Sequence, residues 1–194
     1  MPDAGLKRIV TAWPGILAVM EQPIDRPPIE VTVEIPSGSR NKYEYDHTRH
    51  RFVLDRVLYS SVHYPCDYGF IDGSMADDGD PLDVLVLIAE PTFPGCVVRA
   101  RPVGVLDMAD EKGHDYKILA VAHDDPRWDA MDRLEQLSPH RLLEIETFFR
   151  TYKTLERRPT DVRGWLGVED AWRIIAAAMA AGGRVSETSP GTWR

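Results

Sequence analysis

Cysteine is scarce in this sequence, and basic residues are outnumbered by acidic ones. It has two cysteines, Cys66 and Cys96, and they do not form a CxxC pair. A disulfide framework is therefore not implied, and a reducing cytoplasm is the expected compartment. Lys and Arg total 23 against 31 Asp and Glu, for a formal net charge of −8. General nucleic-acid binding needs a basic surface, so no nucleic-acid partner is expected. The same imbalance leaves room for a local crowd of carboxylates. Long apolar runs are also missing. The nearest approach, residues 9–20 behind Lys7 and Arg8, loosely imitates a secretory leader. Pro14-Gly15 interrupts it, no A-x-A pattern follows, and it is too short to span a bilayer. No membrane partner is expected, and residues 1–28 are read as a flexible N-terminal extension. There is no P-loop, no HExxH motif, no internal repeat and no low-complexity linker.

What remains is ordinary globular composition: 43% hydrophobic and 28% charged over 194 residues, enough for one domain with one sizeable core. Residues 29–35 alternate, with Ile29, Val31, Val33 and Ile35 on one side and Glu30, Thr32 and Glu34 on the other. That period predicts a half-buried strand, ended by Pro36-Ser37-Gly38-Ser39. Further strands are expected near 42–45, 51–54, 84–88, 97–106 and 116–122. The last third changes period. Ser138-Pro139 suits a helix start, and Leu142, Ile145, Phe149 and Tyr152 then share one helical face. A second helix is expected over 168–181, ended by Gly182-Gly183, with a tail over 186–194. The fold class is therefore α+β: a small closed antiparallel β-barrel, OB-like with a five-stranded core, carrying two C-terminal helices. The single domain is placed at 29–185.

The informative segment is Asp77-Asp78-Gly79-Asp80-Pro81-Leu82-Asp83, where four carboxylates occupy seven positions. Gly79 permits a tight turn and Pro81 stiffens the exit. A buried strand follows at once, so Asp78, Asp80 and Asp83 can converge at its mouth. Two like charges about 4 Å apart repel by roughly 4 kcal/mol at an effective dielectric near 20. A converging set needs protons or cations, and carboxylate oxygens suit hard divalent ions. An isolated D-x-D is ordinarily a solvated turn. An EF-hand is excluded, because Leu82 stands where a third Asp or Asn belongs and Pro81 precedes it. A second acidic group, Asp110-Glu111 and Asp115, lies in a loop with Lys117 two residues on. Cations and phenols complete the set. Lys42 and Glu44 share one face of an extended segment, Arg56 follows a short apolar strand, Tyr64 and Tyr68 bracket Pro65-Cys66-Asp67, and Tyr152-Lys153 ends a helix. Each alone is unremarkable. Together, Arg forks, Lys charges and Tyr donors suit a small, highly charged anion.

These residues, in this order, resemble the soluble inorganic pyrophosphatases of the small-barrel type (family I), in their bacterial version. The resemblance is carried by Asp78-Gly79-Asp80-Pro81-Leu82-Asp83 and by Val33-Glu34-Ile35-Pro36, Lys42-Tyr43-Glu44 and Leu54-Asp55-Arg56. Tyr64-Pro65-Cys66-Asp67-Tyr68-Gly69, Arg101-Pro102-Val103-Gly104, Asp110-Glu111, Asp115, Lys117 and Phe148-Phe149 with Tyr152-Lys153 complete it. It implies Mg²⁺-dependent hydrolysis of pyrophosphate to two orthophosphates, with several ions per site and Mn²⁺ as a substitute. It also implies a cytoplasmic homo-oligomer, a hexamer. By the same resemblance, Asp78, Asp83 and Asp115 are ligands of activating metal, with Asp83 bridging. Asp80 is the general base. Asp110 and Asp115 meet metal that arrives with substrate, and Glu34, Glu44 and Glu111 form an outer acidic shell. Lys42, Arg56 and Tyr68 match the group on the electrophilic phosphate; Lys117, Tyr152 and Lys153 match the group on the leaving phosphate. Tyr64 is a supporting phenol. His114 is expected at the surface without a role, and Cys66 as a packed thiol.

Residues 1–28 and 157–163 depart from the family pattern, and Pro159 is expected to break a strand there. Two rival classes are a metal-dependent nucleotide phosphohydrolase and a non-catalytic barrel that binds phosphate or single-stranded nucleic acid. No segment is assignable to a base or ribose, and an acidic mouth repels a bare phosphate backbone.

Overall fold

The computed structural model describes residues 26–110, 113–158 and 160–188; the side chains of Asp110 and of 184–188 lie outside that description. Among the described residues nine strands run in chain order: β1 (Ile29–Ile35), β2 (Asn41–Asp46), β3 (Arg51–Val57), β4 (Asp67–Phe70), β5 (Asp83–Leu87), β6 (Val97–Asp110), β7 (Gly113–His114), β8 (Lys117–Ala122) and β9 (Asp161–Leu166). Two helices follow the pattern change, α1 (Pro139–Thr151) and α2 (Val168–Thr188). The chain path β1-β4-β5-β8-β6 returns on itself, because β6 also pairs with β1. This is the closed five-stranded ring expected of an OB-like barrel. Four of its pairings are antiparallel, whereas β5 and β8 run parallel. The parallel pair comes from chain order: β6 lies between the two strands in sequence but outside them in the ring.

The burial pattern explains why some strands alternate and others read as apolar runs. In β1, Val31, Val33 and Ile35 are buried and the residues between them are partly exposed. In β5 and β8 both faces are covered. Leu85, Leu87, Leu119 and Val121 join the barrel interior with Ile145 and Phe149 of α1. Val84, Val86, Ile118 and Ala120 face Ala171, Ile175 and Ala178 of α2. A strand buried on two sides loses its period of two. At Gly69 the barrel closes tightly: a Cβ there would meet the Thr32 carbonyl oxygen at 2.1 Å.

The hairpin β2–β3 forms a separate two-stranded sheet. Three elements differ from expectation. Ser138 occupies the cap position of α1, but its hydroxyl makes no capping bond; its carbonyl accepts from the Arg141 and Leu142 N–H groups. A strand does follow Pro159: β9 starts at Asp161, past the proline, and pairs with the far end of β6. Helix α2 continues through Gly182-Gly183 to Thr188, because Gly182 packs against the Gly73–Ser74 backbone rather than capping the helix. The 1–28 extension, apart from residues 26–28, and the tail from 189 lie outside the described residues.

Candidate active site

The ring order places chemistry on adjacent strands. Glu34 is on β1, Tyr68 on β4, Asp83 on β5 and Lys117 on β8, four consecutive strands of the barrel. Asp83 and Lys117 are direct partners in the parallel register. Both have the parity of Leu85 and Leu119, so they are the first inward-facing residues at the barrel's open end. Glu34 stands at a register shift between Val33 and Ile35, an irregularity that re-aims a side chain.

A cavity of about 450 Å³ opens there. Glu34, Tyr68, Asp83, Asp115 and Lys117 line it from the barrel. Asp78 and Asp80 line it from the loop before β5, Lys42, Glu44 and Arg56 from the hairpin, and Tyr152 and Lys153 from the end of α1. Tyr64 stands behind this wall, buried, with its ring 5.6 Å from that of Tyr68 and 4.8 Å from that of Phe148. Glu111 and the Asp110 side chain lie outside the described residues.

At the centre is a cation. Lys117, 2% exposed, donates to Asp83 Oδ2 and Asp115 Oδ1, both at 2.6 Å, and to the Tyr68 hydroxyl at 3.3 Å. Burial disfavours its charge, but the Asp83 and Asp115 carboxylates outweigh burial and hold its pKa above the ordinary lysine value. Glu34 shows the opposite balance. Burial pushes its pKa from 4.5 to about 7, although its carboxylate accepts from the Tyr45 N–H at 2.6 Å. Burial likewise holds the Tyr64, Tyr68 and Tyr152 phenols above their usual range, so all three keep their protons near neutrality and can donate. On the hairpin, Lys42 pairs with Glu44 and lies 3.6 Å from Asp55. Arg56 is held by Asp55 and by Glu156, the latter at 3.0 Å. Lys153 lies 5.5 Å from the centre of the Tyr152 ring, a cation–π contact.

Asp78 and Asp80 are exposed at the outer lip, and Asp78 Oδ1 accepts from the Asp80 N–H at 3.1 Å. Gly79 between them has φ +88°, the left-handed region that glycine adopts without strain. Among the described residues no three His, Cys, Asp or Glu side chains converge as a ready chelate. The Lys117 ammonium stands between Asp83 and Asp115 instead. The donor set nevertheless fits a hard divalent ion. Six carboxylates line the cavity, Glu34, Glu44, Asp78, Asp80, Asp83 and Asp115, with His47 the one imidazole and no thiolate among the lining residues.

Sequence reasoning missed four lining residues: Tyr45, His47, Phe70 and Arg158. The first three form an aromatic group, with His47 4.9 Å from Tyr45 and 5.4 Å from Phe70. The tyrosine-rich segment Tyr43-Glu44-Tyr45 hinted at it. Arg158 lies in the segment read only as a departure. Asp67, quoted as part of a motif, is wholly buried and structural: its carboxylate accepts from Ser37 N–H (2.7 Å), Thr92 N–H (3.0 Å) and the Thr92 hydroxyl (2.6 Å). Cys66 is packed as expected, and burial pushes its thiol up to about 12, which removes it as a nucleophile.

An OB-like barrel with an oxygen-rich, cation-seeking pocket at its mouth is the class that fold and site define. Comparison with known proteins narrows it. The family model described as inorganic pyrophosphatase matches residues 31–182. An inorganic pyrophosphatase of Methanosarcina mazei is 55% identical over 148 residues, covering 76% of this chain and 88% of the relative. One from Nostoc sp. is 52% identical over 153 residues, covering 79% and 90%. The crystal structure of inorganic pyrophosphatase from Thermus thermophilus aligns with a TM-score of 0.80 at 40% identity, covering 86% of this chain and 97% of that one. The chain belongs to the inorganic pyrophosphatase family.

Proposed function

We propose that this protein hydrolyses inorganic pyrophosphate to two orthophosphates, using divalent cations, Mg²⁺ first with Mn²⁺ as substitute. The observation that carries the reading is the meeting, in one cavity, of acids from β1, β5, the loop before β5 and the turn before β8 with cations from β8, the hairpin and the end of α1. The ions would be held by Asp78, Asp83, Asp110 and Asp115, with Glu34, Glu44 and Glu111 outside them. Bound there, such ions lower the pKa of water toward neutrality and offset the substrate's charge.

The chain's own groups do the rest. Asp80, at the lip, accepts the proton of the attacking water. Lys42, Arg56 and the Tyr68 hydroxyl hold the phosphate under attack, with the Asp55–Arg56–Glu156 contacts fixing the guanidinium fork. Lys117, Tyr152 and Lys153 hold the departing phosphate and take up the charge that develops as the bridging P–O bond breaks. Tyr64 backs Tyr68. Water attacks directly and no covalent enzyme intermediate forms.

The catalytic unit is assigned to residues 29–185, with 1–28 an extension and 186–194 a tail. The family resemblance supports a cytoplasmic homohexamer. No described helix is long and apolar enough to cross a membrane. Phosphate release from pyrophosphate and from ATP, compared for the wild type and for Asp80→Asn, tests the reading. Pyrophosphate is expected to be strongly preferred, and the variant is expected to lose at least about 10²-fold in turnover. Equal hydrolysis of ATP would contradict the substrate, and near-wild-type turnover of the variant would remove Asp80 from the base role.

A further inference from the structure

Gly182 sits inside α2, where glycine costs roughly 1 kcal/mol relative to alanine, so its presence there needs a reason. A Cβ built on it would lie 1.8 Å from the Gly73 carbonyl oxygen and 2.7 Å from the carbonyl carbon. These are backbone atoms and cannot rotate aside. One turn earlier, the Ala178 carbonyl accepts from the Met75 N–H at 2.9 Å. Helix α2 and residues 73–75 therefore meet backbone to backbone at two points.

Residues 73–75 are the shoulder of the acidic loop. The Ser74 hydroxyl donates to the Ile71 carbonyl at 2.6 Å and accepts from the Leu82 N–H at 2.8 Å, which closes the loop's base. Further out, the Ala76 N–H donates to the Asp80 carbonyl at 2.8 Å and the Gly79 N–H to the Ala76 carbonyl at 3.1 Å. The loop is thus bonded to itself from base to tip, and whatever grips its shoulder moves its tip.

We infer that Gly182 and Ala178 are positioning residues for the active site: they set where the acidic loop stands, and so where Asp78 and Asp80 stand relative to Asp83, Asp115 and Lys117. Neither residue lines the cavity; both act through the loop. The inference rests on the carboxylate roles proposed above. A methyl group at 182 must gain roughly 1.5 Å to reach ordinary van der Waals separation. A displacement of about that size, made far from the chemistry, can cost on the order of 10²-fold in rate.

The test compares Gly182→Ala with Gly183→Ala in the full chain. A Cβ at Gly183 meets nothing within 4 Å. Both substitutions favour the helix equally, but the first alone drives a methyl into Gly73. Three quantities are read: turnover, Mg²⁺ affinity by calorimetry, and hydrogen exchange of the Met75 amide in metal-free protein. Gly183→Ala is expected to match the wild type in all three. Gly182→Ala is expected to lose about 10²-fold in turnover, to bind Mg²⁺ at least about 10-fold more weakly, and to exchange the Met75 amide faster, while remaining folded at the assay temperature. Mg²⁺ affinity and turnover equal to those of Gly183→Ala would overturn the inference. Should Gly182→Ala not fold, Ala178→Gly loosens the helix at the same grip and keeps the carbonyl. Faster Met75 exchange with weakened Mg²⁺ binding supports the inference, and any other pairing of the two overturns it. A wild type that binds Mg²⁺ but does not hydrolyse pyrophosphate would sink the proposed function alone, since amide exchange and calorimetry still report the grip.

Discussion

Replacing Lys117 with Met isolates the charge at the centre of the pocket. The ammonium holds two carboxylates at 2.6 Å, and the three side chains are 3%, 25% and 17% exposed for Lys117, Asp83 and Asp115. Removing one partner of a buried ion pair costs about 3–5 kcal/mol, because the remaining charge is left uncompensated. Met fills much of the lysine stem's volume, so the loss is mainly electrostatic. A protein of this length loses about 2–4 °C in melting temperature per kcal/mol, so the variant should melt roughly 6–20 °C lower in chelator. Added salt should recover little of this, since buried pairs are weakly screened. Mg²⁺ should recover much of it, because a divalent ion can answer the same carboxylates. The assay is thermal unfolding followed by circular dichroism at pH 7.5, in chelator, in chelator with 0.5 M salt, and in Mg²⁺. A drop below about 2 °C in chelator, or full rescue by monovalent salt, would mean that Lys117 does not hold these carboxylates as a buried ion pair.

Three further outcomes follow from single residues. Glu34 has its pKa raised by burial from 4.5 to about 7, so its contribution to stability is present below 4.5 and lost as pH rises through 7. Glu34→Gln should therefore gain up to about 3 kcal/mol over the wild type at pH 8 in chelator, and nothing at pH 4; urea unfolding at both pH values measures it. Asp67→Ala leaves two N–H donors and the Thr92 hydroxyl without their acceptor, and should cost about 3 kcal/mol or more in the same assay. Gly69→Ala drives a Cβ into the Thr32 carbonyl and should cost more than about 3 kcal/mol, seen as a lowered melting temperature or loss of soluble protein.

Legibility varied with how local the cause was. The alternation of 29–35 marked β1 residue for residue, because one face of that strand is buried and the other is not. The parallel pairing that sets Asp83 beside Lys117 was invisible, since it depends on the ring order of strands far apart in sequence. β4 escaped as a strand because it is four residues long and wholly buried, and β9 because Pro159 obscured its start. The glycine pair in α2 read as a stop signal, when the cause is tertiary: Gly73 approaches too closely for any side chain at 182. Most site residues came through the family resemblance and meet in one cavity. His47, Phe70 and Arg158 did not: the hairpin's turn carries His47, the turn after α1 carries Arg158, and Phe70 ends β4, the strand that sequence reasoning did not find.

A pocket lined by six carboxylates can work on a phosphate anion only through cations. Phosphate release from pyrophosphate, followed after exhaustive chelation and again after Mg²⁺ is restored, tests it most directly. Background rates are expected in chelator and recovery with Mg²⁺; undiminished hydrolysis with every divalent ion removed would show that the carboxylates act without cations.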